Sequence, residues 1–343
     1  MKHPSEFNCQ LLAWFRQNKR DLPWRKPCRD PYAVWVSEIM LQQTTVATVV
    51  PYFVRWMATF PTVQQLASAA EQEVLAHWQG LGYYSRAKRL HQAAIVISEK
   101  NRWPHTYEDW LAIPGIGPYT AAAISSIVSG EAKAVVDANV ERVYARLQAD
   151  HSSGSELKRK ARDWANLNFS RDAPGSWNEA VMELGATVCT PKSPRCSACP
   201  IVKHCAAQEH GLQNDLPMRP TKPEWKHVRH VAWIPVFEEM VGIRRVPEGN
   251  WWAGLWDFPR VEQDSRCQTR LCQMVGDARL RHLGRIRHVV TRHKVEVDVH
   301  VAEVTAKSDR LWWVRREVLP DYALPTPARK MFKLLMTFET AQN

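Results

Sequence analysis

No stretch of about 18 uncharged apolar residues occurs in the chain, so nothing in it reads as a membrane-spanning helix. The opening residues, MKHPSEFNCQLLAWFRQNKRDLPW, carry charges throughout and lack the uninterrupted apolar core of a secretory signal. No internal repeat or low-complexity tract is evident. Acidic residues are in deficit: 35 Asp and Glu stand against 46 Lys and Arg, for a net charge of +11. That balance favours a polyanionic partner through counterion release, nucleic acid foremost. Cysteine is sparse outside one place. Four of the eight lie in CTPKSPRCSACPIVKHC, residues 189–205, spaced by six, two and five residues. The chain reads as soluble and intracellular, where disulfides are a poor account of such a cluster.

What is present suffices for two domains, since 343 residues can bury two cores. Up to about residue 205 the pattern is helical. EQEVLAHWQG, SRAKRLHQAAIVISEK and NVERVYARLQAD repeat apolar residues at three and four. Beyond about residue 230 the period changes: KVEVDVHV (294–301) alternates as a half-buried strand should, and HVAWIPVF is a second strand candidate. Between them QNDLPMRPTKPEWKH is rich in proline and charge and reads as a linker. The expectation is a helical domain over 1–213, a linker over 214–229 and a smaller α+β domain over 230–343. The 16 tryptophans should mostly anchor cores, with some free to stack on bases.

Four places could carry chemistry. TYEDWLAIPGIGPYTAAAISSIVSG (106–130) predicts a helix capped near Thr106, a turn at Pro114–Pro118 and a second helix stopping near Gly130. Gly115 and Gly117 let the backbone turn tightly and could bring amides against a phosphate, although Pro and Gly also simply join helices. Asp137, before the periodic NVERVYARL, is in the first instance an N-cap; facing a positive helix end, it also suits stabilisation of a nearby cation. Glu38 lies in the apolar run DPYAVWVSEIMLQQTTV, with Val34, Trp35, Leu41 and Gln42 three and four positions away. A carboxyl so placed is desolvated and drifts toward the range of a general acid, unless it snorkels to water at the helix edge. The four thiols could hold zinc or an iron–sulfur cluster, and spacing alone leaves both open.

SEIMLQQT, GLGYYSRA, IPGIGPYTA, VVDANVER, NEAVMELGATVC and the cysteine cluster occur in this order over residues 24–205. Together they resemble the helix–hairpin–helix DNA glycosylases that carry an iron–sulfur cluster, and more narrowly the MutY-type branch acting on adenine. WWAGLWDFP (251–259) is similar to the start of that branch's Nudix-like carboxy-terminal domain. The resemblance implies one [4Fe–4S] cluster on Cys189, Cys196, Cys199 and Cys205. It leaves Cys9, Cys28, Cys267 and Cys272 as plain thiols, although Cys267 and Cys272 could be read as a weak pair.

Position by position, the resemblance implies that Glu38 is the general acid and Asp137 the carboxylate beside the sugar cation, the division of labour seen in sugar hydrolases. Tyr119 and Asn139 are implied as supporting hydrogen-bond partners, and Arg25 and Glu179 as contacts to an extruded adenine. Leu41, Gln43 and Tyr83 would wedge the duplex once the base has flipped. Gly115, Gly117, Lys192 and Arg195 would meet the phosphate backbone. The carboxy-terminal domain would read 8-oxoguanine. It lacks the REXXEEXG core of a working Nudix hydrolase, RREVLPD at 315–321 being only a fragment. The family's Phe-Ser-His loop is replaced by HVVTRHKVEV, which leaves Thr291, Arg292 and His293 as the candidates.

The resemblance therefore implies a monomeric cytoplasmic enzyme acting on chromosomal double-stranded DNA. It would remove adenine from A:8-oxoguanine or A:G pairs by hydrolysis and leave an abasic site. The nearest alternative is an endonuclease III-like glycosylase and lyase for oxidised pyrimidines. That type has a lysine where this chain has Tyr119, and a phenol forms no Schiff base. A catalytically silent DNA-binding protein with a redox-sensing cluster is a third reading.

Overall fold

The computed structural model describes residues 6–218 and 224–340. Of the expected linker, residues 219–223 lie outside the described residues. The chain divides into two compact units, Met1–Ser68 with Arg89–Thr221 and Ala69–Lys88 with Lys222–Asn343. Among the described residues, no helix is long and apolar enough to cross a membrane.

The first unit is helical. Its helices begin and end where local chemistry dictates. Asp30 caps Pro31–Leu41 by accepting from the Tyr32 N–H, with Pro31 at the first helical position. Thr106 and Asp109 form a reciprocal capping box on Tyr107–Leu111. Pro118–Val128 ends at Ser129, followed by Gly130 at φ +69°. The core gathers Leu11, Phe15, Val143, Trp164, Trp177 and Leu184 from four of the helices. Trp35, Trp56 and Trp110 are also fully buried in this unit, the anchoring expected of most tryptophans.

The second unit is built on a sheet of seven strands: β1 Lys226–Phe237, β2 Met240–Arg245, β3 Trp256–Asp257, β4 Arg260–Glu262, β5 Ala278–Val290, β6 His293–Val304 and β7 Trp312–Arg315. Its path runs β3-β2-β1-β6-β5, with β4 on β1 and β7 on β2. β1 and β6 pair in parallel and every other pair is antiparallel. The alternation of 294–301 is realised on β6, where Val295, Val297, Val299 and Val301 point into the core. There they meet Met331 and Leu335 of the helix Thr326–Thr340. RREVLPD opens on Arg315, the last residue of β7, and continues as the 3₁₀ stretch Arg316–Asp321.

Candidate active site

Glu38 sits on the inner face of Pro31–Leu41, which packs against Pro118–Val128. Only 9% of it is exposed. Burial pushes its carboxyl up to about 7, the negative charges of Glu179 and Asp137 push the same way, and Arg25 opposes them. A carboxyl at that value shares protonated and ionised forms near neutrality, as a general acid requires.

Asp137 caps the helix Ala138–Leu147. Its Oδ1 accepts from the backbone N–H of Asn139 and Val140 at 2.9 and 2.8 Å, and its Oδ2 from the Asn139 side-chain amide at 2.7 Å. Three donors thus fix one carboxylate. Asn139 is fixed in turn, because Arg142 Nη2 donates to its Oδ1 at 2.8 Å. The same nitrogen reaches the Gly185 carbonyl, and Arg142 Nε the Cys189 carbonyl, each at 2.8 Å. Asn178 holds the approach to Asp137, accepting from Val135 N–H and donating to Ser126 Oγ and the Lys133 carbonyl. A Cβ on Gly185 would lie 2.6 Å from that of Asn139, so these helices meet at van der Waals limit.

Tyr119 opens the second hairpin helix and donates its hydroxyl to Met182 Sδ at 3.4 Å. Burial raises the phenol well above its usual value, reinforced by the charges of Glu38 and Asp137. It therefore stays protonated. The three groups Glu38, Asp137 and Tyr119 share one electrostatic neighbourhood.

Arg25 reaches Glu179 at 3.0 Å and Glu183 at 2.9 Å. Arg29 closes on Glu179 and Arg20 on Glu183, both at 2.6 Å. Arg20, Glu183, Arg25, Glu179 and Arg29 form an alternating array beside Glu38. Burial works against the charge on Glu183, but Arg20 and Arg25 outweigh it and hold that carboxyl below its ordinary range. Sequence reasoning missed Arg20, Arg29 and Glu183. The available signal was the four-residue spacing of Glu179 and Glu183, which puts both on one helix face.

In the hairpin, Gly115 adopts φ +83° and lies so near Arg89 that a Cβ would fall 2.7 Å from the arginine's Cβ. Ile116 is buried between the helices, and Gly117 caps the second helix with its face exposed. Leu41 ends its helix half-buried, and exposed Gln43 follows at φ +56°, a strained setting for a residue with a side chain. In the second unit Tyr83 is similarly held at φ +47°, half of its surface exposed.

The four clustered cysteines are free and half-buried. Burial drives the Cys199 thiol up to about 12 and that of Cys205 upward, and the neighbouring sulfurs add to both. Arg146 Nη1 donates to Cys189 Sγ at 3.3 Å, and Cys205 Sγ donates to the Arg146 carbonyl. A purely thiol donor set beside a buried guanidinium suits a soft, anionic metal centre. Among the described residues, no three His, Cys, Asp or Glu side chains converge as a site for one metal ion. Lys192 and Arg195 stand exposed on the cysteine loop, where Arg195 Nη2 donates to the Thr187 carbonyl at 2.7 Å.

In the second unit Thr291 and Arg292 are exposed in the β5–β6 turn, Thr291 at φ +50°. Thr291 Oγ1 lies 3.4 Å from His293 Nδ1, and the His293 ring packs on Trp251 at 5.0 Å.

A helix–hairpin–helix region carrying a proton-sharing carboxyl and a capped carboxylate, joined to a Nudix-type sheet, defines a base-excision DNA glycosylase. The family model described as HhH-GPD superfamily base excision DNA repair protein matches residues 36–166, and that of the NUDIX domain matches 230–334. The adenine DNA glycosylase of Mus musculus is 33% identical over 398 residues, covering 96% of this chain and 77% of the relative. That of Homo sapiens is 34% identical, covering 96% and 73%. Among solved structures, a thermostable thymine-DNA glycosylase superposes with a TM-score of 0.52 at 26% identity, covering 59% of this chain and 94% of its own. The chain belongs to the adenine DNA glycosylases.

Proposed function

We propose that this enzyme hydrolyses the N-glycosidic bond of adenine paired with 8-oxoguanine or guanine in double-stranded DNA and leaves an abasic site. The observation that carries the reading is the pairing of Glu38, raised to about 7, with Asp137, held by three donors in the same field. Neutral Glu38 gives its proton to a ring nitrogen of the extruded adenine, making the base a better leaving group. Ionised Asp137 stabilises the positive charge that develops on the deoxyribose. Glu38, now a carboxylate, accepts a proton from the attacking water. Arg25 and Glu179 orient the adenine, and Asn139 and Tyr119 support the carboxylates. Tyr119 cannot attack the sugar as a lysine amine would, which supports hydrolysis without strand cleavage.

Leu41, Gln43 and Tyr83 would fill the duplex where the base has left. Gly115, Gly117, Lys192 and Arg195 would meet phosphates, and Thr291, Arg292 and His293 the oxidised guanine. We assign lesion reading to residues 230–343 together with the start of β1 from Lys226, and base excision to 1–213, in a monomer acting on chromosomal DNA in the cytoplasm. Cys189, Cys196, Cys199 and Cys205 would hold one [4Fe–4S] cluster, which when bound supplies metal–thiolate bonds that tie residues 189–205 into one loop. Metal analysis separates this from zinc: iron and acid-labile sulfide are expected, and stoichiometric zinc would refute the cluster.

The deciding assay uses a duplex with one adenine opposite 8-oxoguanine. Strand scission should appear only after alkali. An intact strand after alkali would reject the proposal, and a borohydride-trapped adduct in good yield would replace it with the endonuclease III-like reading.

A further inference from the structure

Within residues 80–83 the chain turns left-handed three times, at Gly80 with φ +103°, Gly82 with φ +74° and Tyr83 with φ +47°. Glycine adopts such angles freely and so fixes nothing, whereas a tyrosine needs them imposed. The turn is nevertheless locked. Trp78 Nε1 donates to the Gly82 carbonyl at 3.1 Å, and Arg86 Nη2 to the carbonyls of Leu81 and Gly82 at 3.3 and 3.2 Å. The Gly80 N–H donates to the Tyr84 hydroxyl at 3.3 Å. Arg86 is buried, which lowers it to about 10, so it keeps its charge at neutral pH. Its guanidinium lies 5.2 Å from the Trp78 ring and 5.6 Å from the Tyr83 ring. Tyr83 thus stands half exposed on a fixed support.

That support belongs to the sheet. Residues 69–88 are flanked in sequence by the helical unit, yet they cluster with Lys222–Asn343. Gln72 Oε1 accepts from Trp256 Nε1 on β3 at 2.9 Å, and Gln72 Nε2 donates to the Gly254 carbonyl at 3.4 Å. Gln79 Nε2 donates to the carbonyl of buried Leu324 at 3.1 Å. Glu71 pairs with Arg245 at 3.2 Å and Lys88 with Glu248 at 3.1 Å, surface ion pairs that hold little. The attachment therefore falls to the two half-buried glutamines. Leu41 and Gln43 lie in the helical unit, so the three residues assigned to wedge the duplex are divided between two bodies.

We propose that Gln72 and Gln79 are positioning residues for base extrusion, which mount Tyr83 on the unit that carries the sheet. The inference rests on the reading of Tyr83 as a residue that fills the duplex. A phenol mounted in this way meets the stack in one pose, and its ordering is complete before DNA binds. Neither glutamine needs to touch DNA. Both act through Tyr83.

A mutant cycle on the full chain tests it, read as single-turnover adenine release from a duplex with adenine opposite 8-oxoguanine. The double variant Gln72→Ala, Gln79→Ala should slow release about tenfold or more, with circular dichroism and thermal midpoint confirming the fold. Tyr83→Ala should slow it at least as much. Adding both glutamine substitutions to Tyr83→Ala should then change nothing further, because the mount has lost what it carries. If the double variant does not fold, Trp256→Phe, which keeps a ring and loses the indole N–H, replaces it in the same cycle. An unchanged rate in the double variant overturns the proposal. So does a triple variant slower than Tyr83→Ala by the full factor of the double, since the glutamines would then act elsewhere. A Tyr83→Ala enzyme as fast as the parent would instead reject the wedge reading itself, and the mount with it.

Discussion

Asn139 holds Asp137 twice, donating its backbone N–H to Oδ1 at 2.9 Å and its side-chain amide to Oδ2 at 2.7 Å. The second bond can be removed without disturbing the helix cap. A hydrogen bond to a charged group is worth about 1.5–3 kcal/mol. Asn139→Ala should therefore slow single-turnover adenine release by about 10- to 100-fold. Affinity for the mispaired duplex should change little. An unchanged rate would remove Asp137 from the reaction.

Glu38 links activity and stability in opposite senses. Its carboxyl is raised from 4.5 to about 7, so the folded state prefers the neutral form. That contribution to stability is complete below about pH 4.5, declines as pH rises, and is gone above about pH 7. The upper bound on the loss is about 3 kcal/mol. Glu38→Gln should abolish base release while duplex binding persists. The variant should melt like the parent near pH 5 and above it at pH 8.5. Single-turnover rates of the parent should fall about tenfold per unit above pH 7. A variant that is less stable than the parent at pH 8.5 would contradict the assignment.

Tyr119 lies in the first turn of its helix, and its phenol feels the charges of both Glu38 and Asp137. Tyr119→Lys should gain a borohydride-trappable adduct with abasic or adenine-containing duplex and cut the strand without alkali. Tyr119→Phe should do neither, and losing its hydroxyl–sulfur contact should cost less than about 1.5 kcal/mol of stability. An adduct-free Tyr119→Lys enzyme would show that position 119 does not face the sugar.

Glu183 is 1% exposed and bonded to two arginines. Removing its charge takes the carboxylate from Arg20 and leaves Arg25 with Glu179 alone, a loss of up to roughly 3 kcal/mol, the low end for a broken buried pair because the Arg20 side chain is 36% exposed. In urea, Glu183→Gln should shift the unfolding midpoint downward with the slope unchanged. Glu156→Gln, which breaks an exposed pair with Lys160, should cost no more than about 1 kcal/mol. Equal effects from the two substitutions would rule out the array as a structural unit.

Much of this site could be read before any coordinates. The Asp137 cap needs only the residues two and three positions on, and the desolvation of Glu38 follows from Val34 and Trp35 on its own helix. Local chemistry of this kind is written in sequence order. The arginine–glutamate array is not, because its bonds join residues 150 to 163 positions apart. The parallel pairing of β1 with β6 is likewise hidden, since alternation marks a strand but does not choose its neighbour. Arg142 and Arg146 read as charges on an amphipathic helix. Only the folded chain turns them toward Asn139 and the cysteine loop.

The close approach of Gly185 to Asn139 makes the enzyme vulnerable at a residue that carries no side chain. One additional methyl at 185 would have to displace Asn139, and with it the Asp137 carboxylate that Asn139 holds. Such a variant would keep every acid, arginine and cysteine of the enzyme, yet would lose the hold that fixes Asp137.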